Sequence, residues 1–294
     1  MPEQNAKGLL PSPHDDRDYA LSSVAPIIMR YPEVCPAPFD LTVSNQGLVP
    51  SCVGHSVAEI KQEKEFRQKI SKTFDGDWIY NECKKIDGIP QIKGTYLRTG
   101  LEVLRNLGAK PIDSNDPSPY KISLYARNDD GSFEGLKKAI FLYGSALVGF
   151  TGSNEGWQGE FVRPPLPNET TWGHAVSLIA YEKDYIIGHN HWGSAWGNNG
   201  LFKIPMGYLP FESWAVIVDT VTNLNPQPIA TGWVAVSFIQ LINGSWKTIN
   251  NLHVRSGAGT LFPIIKTLPI DTDINLTNKP RISANGYVWA EIII

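Results

Sequence analysis

Three residues far apart in the chain have side chains that together could perform thiol chemistry. Cys52 ends the stretch NQGLVPSC, His174 lies in TWGHAVSLIAY, and Asn190 lies in HNHWGSAWGNNG. A cysteine nucleophile needs a thiolate, a base, a group that orients the base, and hydrogen-bond donors for the developing oxyanion. Cysteine, histidine and asparagine can supply the first three of these, so the sequence suggests a nucleophilic site.

Each of these residues also has an ordinary structural role open to it. Cys52 could be a small buried hydrophobic residue, and His174, at the start of an apolar strand, could be a core histidine. In a strand, Asn190 would lie on the face opposite His189 and His191, where its amide could fix the tautomer of an imidazole. Gln46, Cys52, His174 and Asn190 follow one another along the chain in that order. All four together are less probable by chance than any one of them, which favours the catalytic interpretation.

A metal site is the main alternative for His189 and His191, because alternation along a strand puts both rings on one face. No cysteine or acidic residue at a supporting spacing completes a ligand set, so the sequence predicts neither a metal nor a cofactor. Cys35 and Cys83 are isolated along the chain. With three cysteines at most one disulfide can form, and pairing of Cys35 with Cys83 stays open.

The residues around Cys52 predict the helix that would position it. In SCVGHSVAEIKQEKEFRQKI an apolar face at helical spacing stands over a charged face; its members are Val53, Val57, Ile60 and Phe66. Pro50 and Ser51 suit a helix start, because the first turn needs no amide hydrogen from proline and serine can cap free amides. A helix N-terminus favours a thiolate through its dipole.

Helices are predicted before strands in the rest of this region. Two helices follow around TYLRTGLEVLRNL and FEGLKKAIFLY, with Gly108 and Gly144 as their stops. From Ala146 onward, apolar runs separated by Gly, Asn and Pro predict strands; they are ALVGF, AVSLIAY, YIIGHNHW, LFKIP and AVIVD. This order predicts an α+β domain in which a helical lobe packs beside an antiparallel sheet or barrel.

Residues 40–210 resemble the papain-like cysteine peptidases, through the motifs QGLVPSC, GHAVSLIAY and NHWGSAWG. The resemblance implies a two-lobe fold, with Cys52 as the nucleophile, His174 as its ion-pair partner and proton donor, and Asn190 as the residue that orients His174. Gln46, six residues before Cys52, would bind the oxyanion together with the backbone amide of Cys52. Such an enzyme hydrolyses peptide bonds through a thioacyl-enzyme.

The same resemblance assigns a substrate cleft. Gly94, Thr95 and Gly173 would line it, and Trp192 would border it while covering the contact between histidine and asparagine. The segments GTYLRTGLEVLRNLGA and HDDRDYAL look like those of bacterial members, which lack the long inhibitory pro-segment. The stretch VPSCV departs from the family signature, which we expect to affect substrate preference more than mechanism. His55, where the family usually has an aromatic residue, is expected to fill the core, with perturbation of the Cys52 thiolate as the alternative.

Four regions are expected along the chain: an extended N-terminal segment at 1–40, a peptidase domain at 41–222, a linker at 223–232 and a small β-barrel at 233–294. The last region resembles bacterial SH3-like domains through NLHVRSGAGT and NGYVWAEI. This resemblance implies binding of cell-wall peptides or of other proteins. Leu252 and Val254 would point inward. The candidate surface aromatics, each of which could instead build the small core, are Trp233, Trp246, Tyr287 and Trp289.

Composition narrows the class of partner. Hydrophobic residues make up 42% and charged residues 19% of the 294 residues, which is typical of globular chains. A net charge of −3 without a dense Lys/Arg patch predicts no nucleic-acid partner. No apolar stretch is long enough to span a membrane, and MPEQNAKGLLPSPHDD lacks the features of a secretory signal. We therefore expect a protein that is cytoplasmic as synthesised, with leaderless export as the alternative.

Hydrolysis of proteins or peptides is the leading interpretation of the sequence, with the SH3-like region as a targeting module. A peptidoglycan or amide hydrolase, or an acyl or amide transferase, could use the same residues. A catalytically silent peptide-binding protein on the same scaffold is the alternative from another functional class.

Overall fold

The structure, a computed structural model, describes residues 8–25, 32–36, 42–68, 70–112, 115–116, 118–218, 231–242, 245–276 and 281–293. The chain divides into two compact units, residues 1–225 and 226–294. Residues 223–230 of the predicted linker lie outside the described residues, as do residues 1–7, 26–31 and 37–40 of the predicted N-terminal segment. Among the described residues, no helix has both the length and the apolar character that crossing a membrane requires.

The first unit contains both helices and strands. Its helices are α1 (Leu21–Val24), α2 (Cys52–Arg67), α3 (Gly76–Ile86), α4 (Leu97–Asn106) and α5 (Phe133–Tyr143). Its strands are β1 (Leu9–Leu10), β2 (Tyr19–Ala20), β3 (Thr95–Tyr96), β4 (Leu124–Arg127), β5 (Ala146–Ser153), β6 (Thr171–Tyr181), β7 (Tyr185–His189), β8 (Leu201–Pro205) and β9 (Glu212–Ile217). Each helix and strand expected from the sequence forms, whereas the patterns predict neither α3 nor β4.

Seven of these strands form one sheet in the order β2, β4, β9, β5, β6, β7, β8. Its pairs are antiparallel except β2 with β4. The strands β1 and β3 form a separate parallel pair. The predicted α+β class is confirmed.

Strand β6 separates two apolar cores. Ala175 belongs to a core that contains Val57 of α2 and Leu101 of α4. Val176 belongs to the other core, with Phe150 and other side chains of the strands and of α5. Because successive residues of a strand face opposite sides, β6 contributes to a helical lobe and to a β lobe at once.

Helix α2 is buried on nearly every side, which differs from its amphipathic sequence pattern. Glu63, Lys64 and Arg67 are at most 1% exposed, whereas Phe66, expected on the buried face, is 39% exposed. The Glu63 carboxylate accepts hydrogen bonds from Arg67 and from Ser145 Oγ (2.8 Å), and it lies 3.1 Å from Lys64 Nζ. The charged face of α2, which the sequence pattern predicts to be solvated, is therefore a buried ion cluster. Pairing of its charges offsets part of the free-energy cost of removing them from water.

The second unit is a small all-β structure, as predicted. Its strands are β10 (Thr231–Ala235), β11 (Ile239–Ile242), β12 (Ser245–Thr248), β13 (Leu252–Arg255), β14 (Ile264–Leu268), β15 (Asp273–Leu276), β16 (Ile282–Ala284) and β17 (Tyr287–Ile293). Leu252 and Val254 are buried and belong to its core. Trp289 is only 3% exposed although it lines the same groove as Tyr287, which is 40% exposed.

Candidate active site

Cys52 is the first residue of α2, at the helix start that the sequence predicts. Ser51 occupies the N-cap position, yet its side chain makes no capping hydrogen bond. Its Oγ donates instead to Asp77 Oδ1 over 2.7 Å. The capping role expected for Ser51 is therefore wrong, because the hydroxyl bonds to a carboxylate, a stronger acceptor, and thereby ties the start of α2 to α3.

The surroundings of Cys52 decide the charge of its thiol. Cys52 is completely buried. Burial raises its pKa to about 11, whereas the backbone N–H groups of Ala175, Gly8 and Val53, with that of Cys52 itself, lower the pKa by donating towards the sulfur. Ala175 directly follows His174 on β6, so the sulfur lies beside the strand that carries the imidazole. In these buried surroundings the neutral thiol is favoured over the thiolate.

His174 and Asn190 are in direct contact, and neither is exposed. His174 Nε2 and Asn190 Oδ1 are 2.9 Å apart, so an Nε2–H tautomer donates to the amide oxygen. The same oxygen accepts the backbone N–H of His191 over 3.0 Å, which fixes the amide. Pairing of β6 with β7 places Ser177 opposite His189, and Asn190 follows directly. This register brings together two residues that the sequence separates by 16 positions.

Aromatic rings enclose the contact between His174 and Asn190. Trp192 stacks on His174 with ring centroids 4.5 Å apart and an interplanar angle of 29°. Trp157 and Trp172 meet the imidazole edge-on at 5.8 and 5.9 Å. Exclusion of water by these rings strengthens the enclosed hydrogen bond. Trp157 was missed from the sequence because it lies in SNEGWQGE, a glycine-containing loop without periodicity.

Gln46 is held against the segment that follows Asn190. Its backbone N–H donates to His191 O over 3.0 Å, and the neighbouring Asn45 bridges to Trp192. Its side-chain Nε2 donates to Val49 O over 2.7 Å. An amide NH₂ group has two hydrogens, so one remains for a second acceptor. The loop that leads into Cys52 is therefore fixed to the β lobe.

The positions that the resemblance assigns to the cleft lie around residues 8–10 of the same chain. Thr95 donates its backbone N–H to Gly8 O over 2.9 Å. A Cβ on Gly94 would collide with Gly8 O, and a Cβ on Gly173 would collide with Leu9 O. Gly94 also has a φ of 89°, which other residues rarely adopt. The structure thus brings Gly94, Thr95 and Gly173 together around one extended segment.

A second cluster of titratable side chains lies behind Asn190. His189 and His191 approach Glu59 Oε2 with their Nδ1 atoms, at 3.8 and 3.5 Å, so both rings share the side that strand alternation predicts. His55 is buried, as expected for a core residue. Among the described residues, no group of three His, Cys, Asp or Glu side chains is arranged to hold a metal ion.

Burial decides the charge states of this cluster. It raises the pKa of Glu59. It lowers the pKa of His191 well below the ordinary value, and the charges of His55 and His189 act on His191 in the same direction. The rings of His191 and His174 have centroids 5.0 Å apart. Two like charges at that separation would repel by about 3 kcal/mol at an effective dielectric constant of about 20. A neutral His191 therefore places no like charge beside the His174 ring.

The other two cysteines lie in different surroundings. No disulfide joins Cys35 to Cys83, and both are buried thiols. Burial raises the pKa of Cys35 to about 11 and raises that of Cys83 still further. Cys83 lies inside α3, and the backbone of Cys35 pairs with Tyr181. Cys52 differs from both because it begins a helix beside the strand of His174.

Comparisons with known proteins find matches over the part of the chain that contains His174 and Asn190. Residues 106–212 match the model of the papain family cysteine proteases, a stretch that contains His174 and Asn190. The uncharacterized peptidase C1-like protein L477 of Acanthamoeba polyphaga mimivirus is 25% identical over 225 residues, which cover 63% of this chain and 72% of the viral protein. Xylellain, a cysteine protease from Xylella fastidiosa, has a similar structure, with a TM-score of 0.62, 22% identity and coverage of 73% of this chain and 96% of that one.

The family match and the shared fold support a papain-like cysteine peptidase. A further similar structure is proCathepsin B S9 from Trypanosoma congolense, with a TM-score of 0.58, 13% identity and coverage of 73% of this chain and 86% of that one. These structures confirm the papain-like two-lobe fold. The matched stretch begins at Asn106, so it contains neither Cys52 nor Gln46.

Proposed function

We propose that this protein is a cysteine endopeptidase that hydrolyses peptide bonds through a thioacyl-enzyme on Cys52. The observation that carries the proposal is the buried contact between His174 and Asn190, beside a cysteine that starts a helix. Asn190 engages Nε2 of the imidazole, so Nδ1 is the nitrogen that exchanges protons with sulfur and substrate. The aromatic cover keeps water away from that contact.

In the acylation step, the Cys52 thiolate attacks the carbonyl carbon of the scissile peptide, and the carbonyl electron pair moves onto oxygen. The backbone N–H of Cys52 and the remaining N–H of Gln46 bind this oxyanion. As the C–N bond breaks, the His174 imidazolium gives its proton to the leaving amine. The products are a free amine and a thioester on Cys52.

In the deacylation step, a water molecule attacks the thioester carbon while neutral His174 takes a proton from that water. The C–S bond then breaks, a carboxylic acid product leaves, and the thiolate of Cys52 and the imidazolium of His174 form again. Asn190 holds the ring in one orientation through both steps. No atom outside the enzyme, the peptide and one water is required.

The substrate class can be tested with the full chain. Denatured protein and muropeptides are each incubated with the parent, with Cys52→Ala and with Cys83→Ala, which removes another buried thiol. We expect cleavage of denatured protein by the parent and by Cys83→Ala, and none by Cys52→Ala. Cleavage of muropeptides alone favours a peptidoglycan hydrolase, and formation of new amide bonds favours a transferase. Binding of peptides without turnover favours a silent binding protein.

The second unit is, in the same proposal, an SH3-like targeting module for a cell-wall peptide or a protein. A groove of about 190 Å³ on this unit is lined by Phe238, Tyr287, His253 and Arg255, among others. Aromatic surfaces beside a guanidinium suit an extended peptide with a carboxylate. Retention on insoluble peptidoglycan is compared between the parent and Tyr287→Ala. Equal retention, or none in either protein, counts against a cell-wall ligand.

A further inference from the structure

An ammonium group fills a small oxygen-lined site at the C-terminal end of α3. Lys84 Nζ donates to three backbone carbonyl oxygens, those of Ile89, Ile92 and Gly94, each over 3.0 Å. It also donates to Asp87 Oδ2 over 2.6 Å. The three carbonyls belong to the loop of residues 87–94, which leads from α3 to β3. The side chain of Lys84 is only 17% exposed. The loop is therefore wrapped around a cation that the chain itself supplies.

The buried carboxylate of Asp87 completes this site and stays ionised. Burial raises its pKa, but hydrogen bonds from Lys84, from the backbone N–H of Ile89 and from Thr95 Oγ1 outweigh burial and hold the pKa below its ordinary value. Its Oδ1 atom accepts the N–H of Ile89 over 3.0 Å, and its Oδ2 atom accepts the Thr95 hydroxyl over 3.0 Å. The anion thus joins the ammonium to the start of the loop and to β3.

The contact between Lys84 and Gly94 decides the direction of the next backbone amide. In a planar trans peptide, the carbonyl oxygen and the amide hydrogen point in opposite directions. Because the carbonyl of Gly94 points to the ammonium, the N–H of Thr95 points away from it. The N–H of Thr95 accordingly donates to Gly8 O, on the other side of the peptide, over 2.9 Å. Lys84 therefore aims a backbone donor at whatever chain runs along β3.

The backbone freedom of Gly94 makes such an anchor necessary. Its φ of 89° lies in a region that glycine enters readily, and glycine has other allowed backbone conformations of similar free energy. Two side chains of α3 fix this residue. Tyr80 Oη accepts its N–H over 3.2 Å, and Lys84 Nζ donates to its carbonyl oxygen over 3.0 Å. Positions four residues apart share a helix face, so α3 presents a hydroxyl and an ammonium to the same glycine.

We propose that Lys84 is a positioning residue for substrate binding, whose ammonium orients the peptide between Gly94 and Thr95 so that the Thr95 N–H donates to a main-chain carbonyl of the substrate. The pairing with substrate rests on the proposed peptidase function, whereas the orientation of the peptide does not. Lys84 acts through the Gly94 carbonyl and does not touch the substrate. Removal of the ammonium should therefore weaken substrate binding and leave the chemical step at Cys52 unchanged.

Amide hydrogen exchange, followed by NMR in the full chain, tests the orientation without any activity. Lys84→Ala removes the ammonium and leaves its space empty, and Lys84→Met removes the charge and fills that space. The control is Lys85→Ala, because Lys85 is 64% exposed and pairs with Glu82. A hydrogen bond is worth roughly a tenfold change in an equilibrium. We expect the Thr95 N–H to exchange about tenfold faster in both Lys84 variants and at the parent's rate in Lys85→Ala.

Chemical rescue separates positioning from general damage to the fold, which thermal melts exclude first. Propylammonium is the part of the lysine side chain that Lys84→Ala lacks. It should restore slow exchange of Thr95 in Lys84→Ala but not in Lys84→Met, whose side chain occupies the space. Tetramethylammonium, which has no N–H to donate, should restore neither. Parental exchange rates in the folded variants, or faster exchange in Lys84→Ala that propylammonium slows no more than tetramethylammonium does, would overturn the inference. If Lys84→Ala does not fold, the exchange rate of Lys84→Met decides.

Peptide hydrolysis tests the pairing with substrate, with peptides in which one main-chain carbonyl other than the scissile one is replaced by a methylene group. In the parent and in Lys85→Ala, we expect one such replacement to raise KM about tenfold with kcat unchanged. In both Lys84 variants the same replacement should change KM less than about threefold, because the donor no longer points to that carbonyl. No sensitive carbonyl in the parent, or equal effects in the parent and the Lys84 variants, would contradict the pairing. Altered exchange without hydrolysis by any of the proteins would support the oriented peptide and contradict the peptidase function.

Discussion

Removal of the Glu63 carboxylate charge should destabilise the first unit strongly. In Glu63→Gln, the cations Lys64 and Arg67 remain buried at no more than 1% exposure and lose the anion that contacts both of them. Breaking a buried ion pair by removing one partner costs about 3–5 kcal/mol. For a unit of this size, that loss corresponds to a decrease in Tm of roughly 10 °C.

Urea unfolding followed by tryptophan fluorescence measures the free energy of unfolding of the parent and of the variant. The matched control is Glu134→Gln, whose carboxylate is 64% exposed and lies 3.4 Å from Lys137 Nζ on α5. An exposed pair of this kind contributes less than about 1 kcal/mol. Equal losses in the two variants, or a loss below 1 kcal/mol in Glu63→Gln, would show that the charged side of α2 is solvated and would refute the reasoning.

Three further predictions concern other parts of the chain. Burial lowers the pKa of Lys64 from 10.5 to about 8. Between pH 8 and pH 10.5 the unfolded chain therefore still holds on Lys64 the proton that the folded chain has released. The free energy of unfolding of the parent minus that of Lys64→Met should therefore rise by about 3 kcal/mol from pH 8 to pH 10.5, and a flat difference would contradict this. Asn190→Ala should lower kcat/KM by roughly 10- to 100-fold while Tm changes little, because a charge-assisted hydrogen bond to the imidazolium is lost; an unchanged kcat/KM would count against its orienting role. Trp289→Ala should destabilise the second unit by about 3–5 kcal/mol, whereas Tyr287→Ala, which removes a side chain that is 40% exposed, should cost much less, as thermal unfolding can measure.

The spacing of apolar residues was sufficient to predict the elements that position the site. The helix that starts at Cys52 and the strands that carry His174 and precede Asn190 form where the sequence places them. Strand alternation also predicted that His189 and His191 share a side, because the period of two survives at the end of β7. Where strands that follow each other in the sequence also pair in the sheet, local patterns were therefore enough to predict which side chains come together.

Features that depend on distant contacts were not predictable in this way. The charged residues of α2 look solvated in the sequence, yet packing against Tyr143 and Ser145 buries them. The place of Leu9 is decided by Gly149 and Ala175, more than a hundred residues away. Trp289 is 3% exposed although Tyr287, two residues earlier on the same strand, is 40% exposed, so the period of two does not decide its burial. The periodicity of the local sequence carries no information about these long-range partners.

The central claim is that Cys52 is the nucleophile, and labelling tests it most directly. The parent, Cys52→Ala and Cys83→Ala are treated with a thiol-reactive epoxide peptide at neutral pH, and adducts are located by mass mapping. We predict one adduct per chain, on Cys52, unchanged in Cys83→Ala and absent from Cys52→Ala. No adduct in the parent, or modification of Cys35 or Cys83 in place of Cys52, would contradict the account.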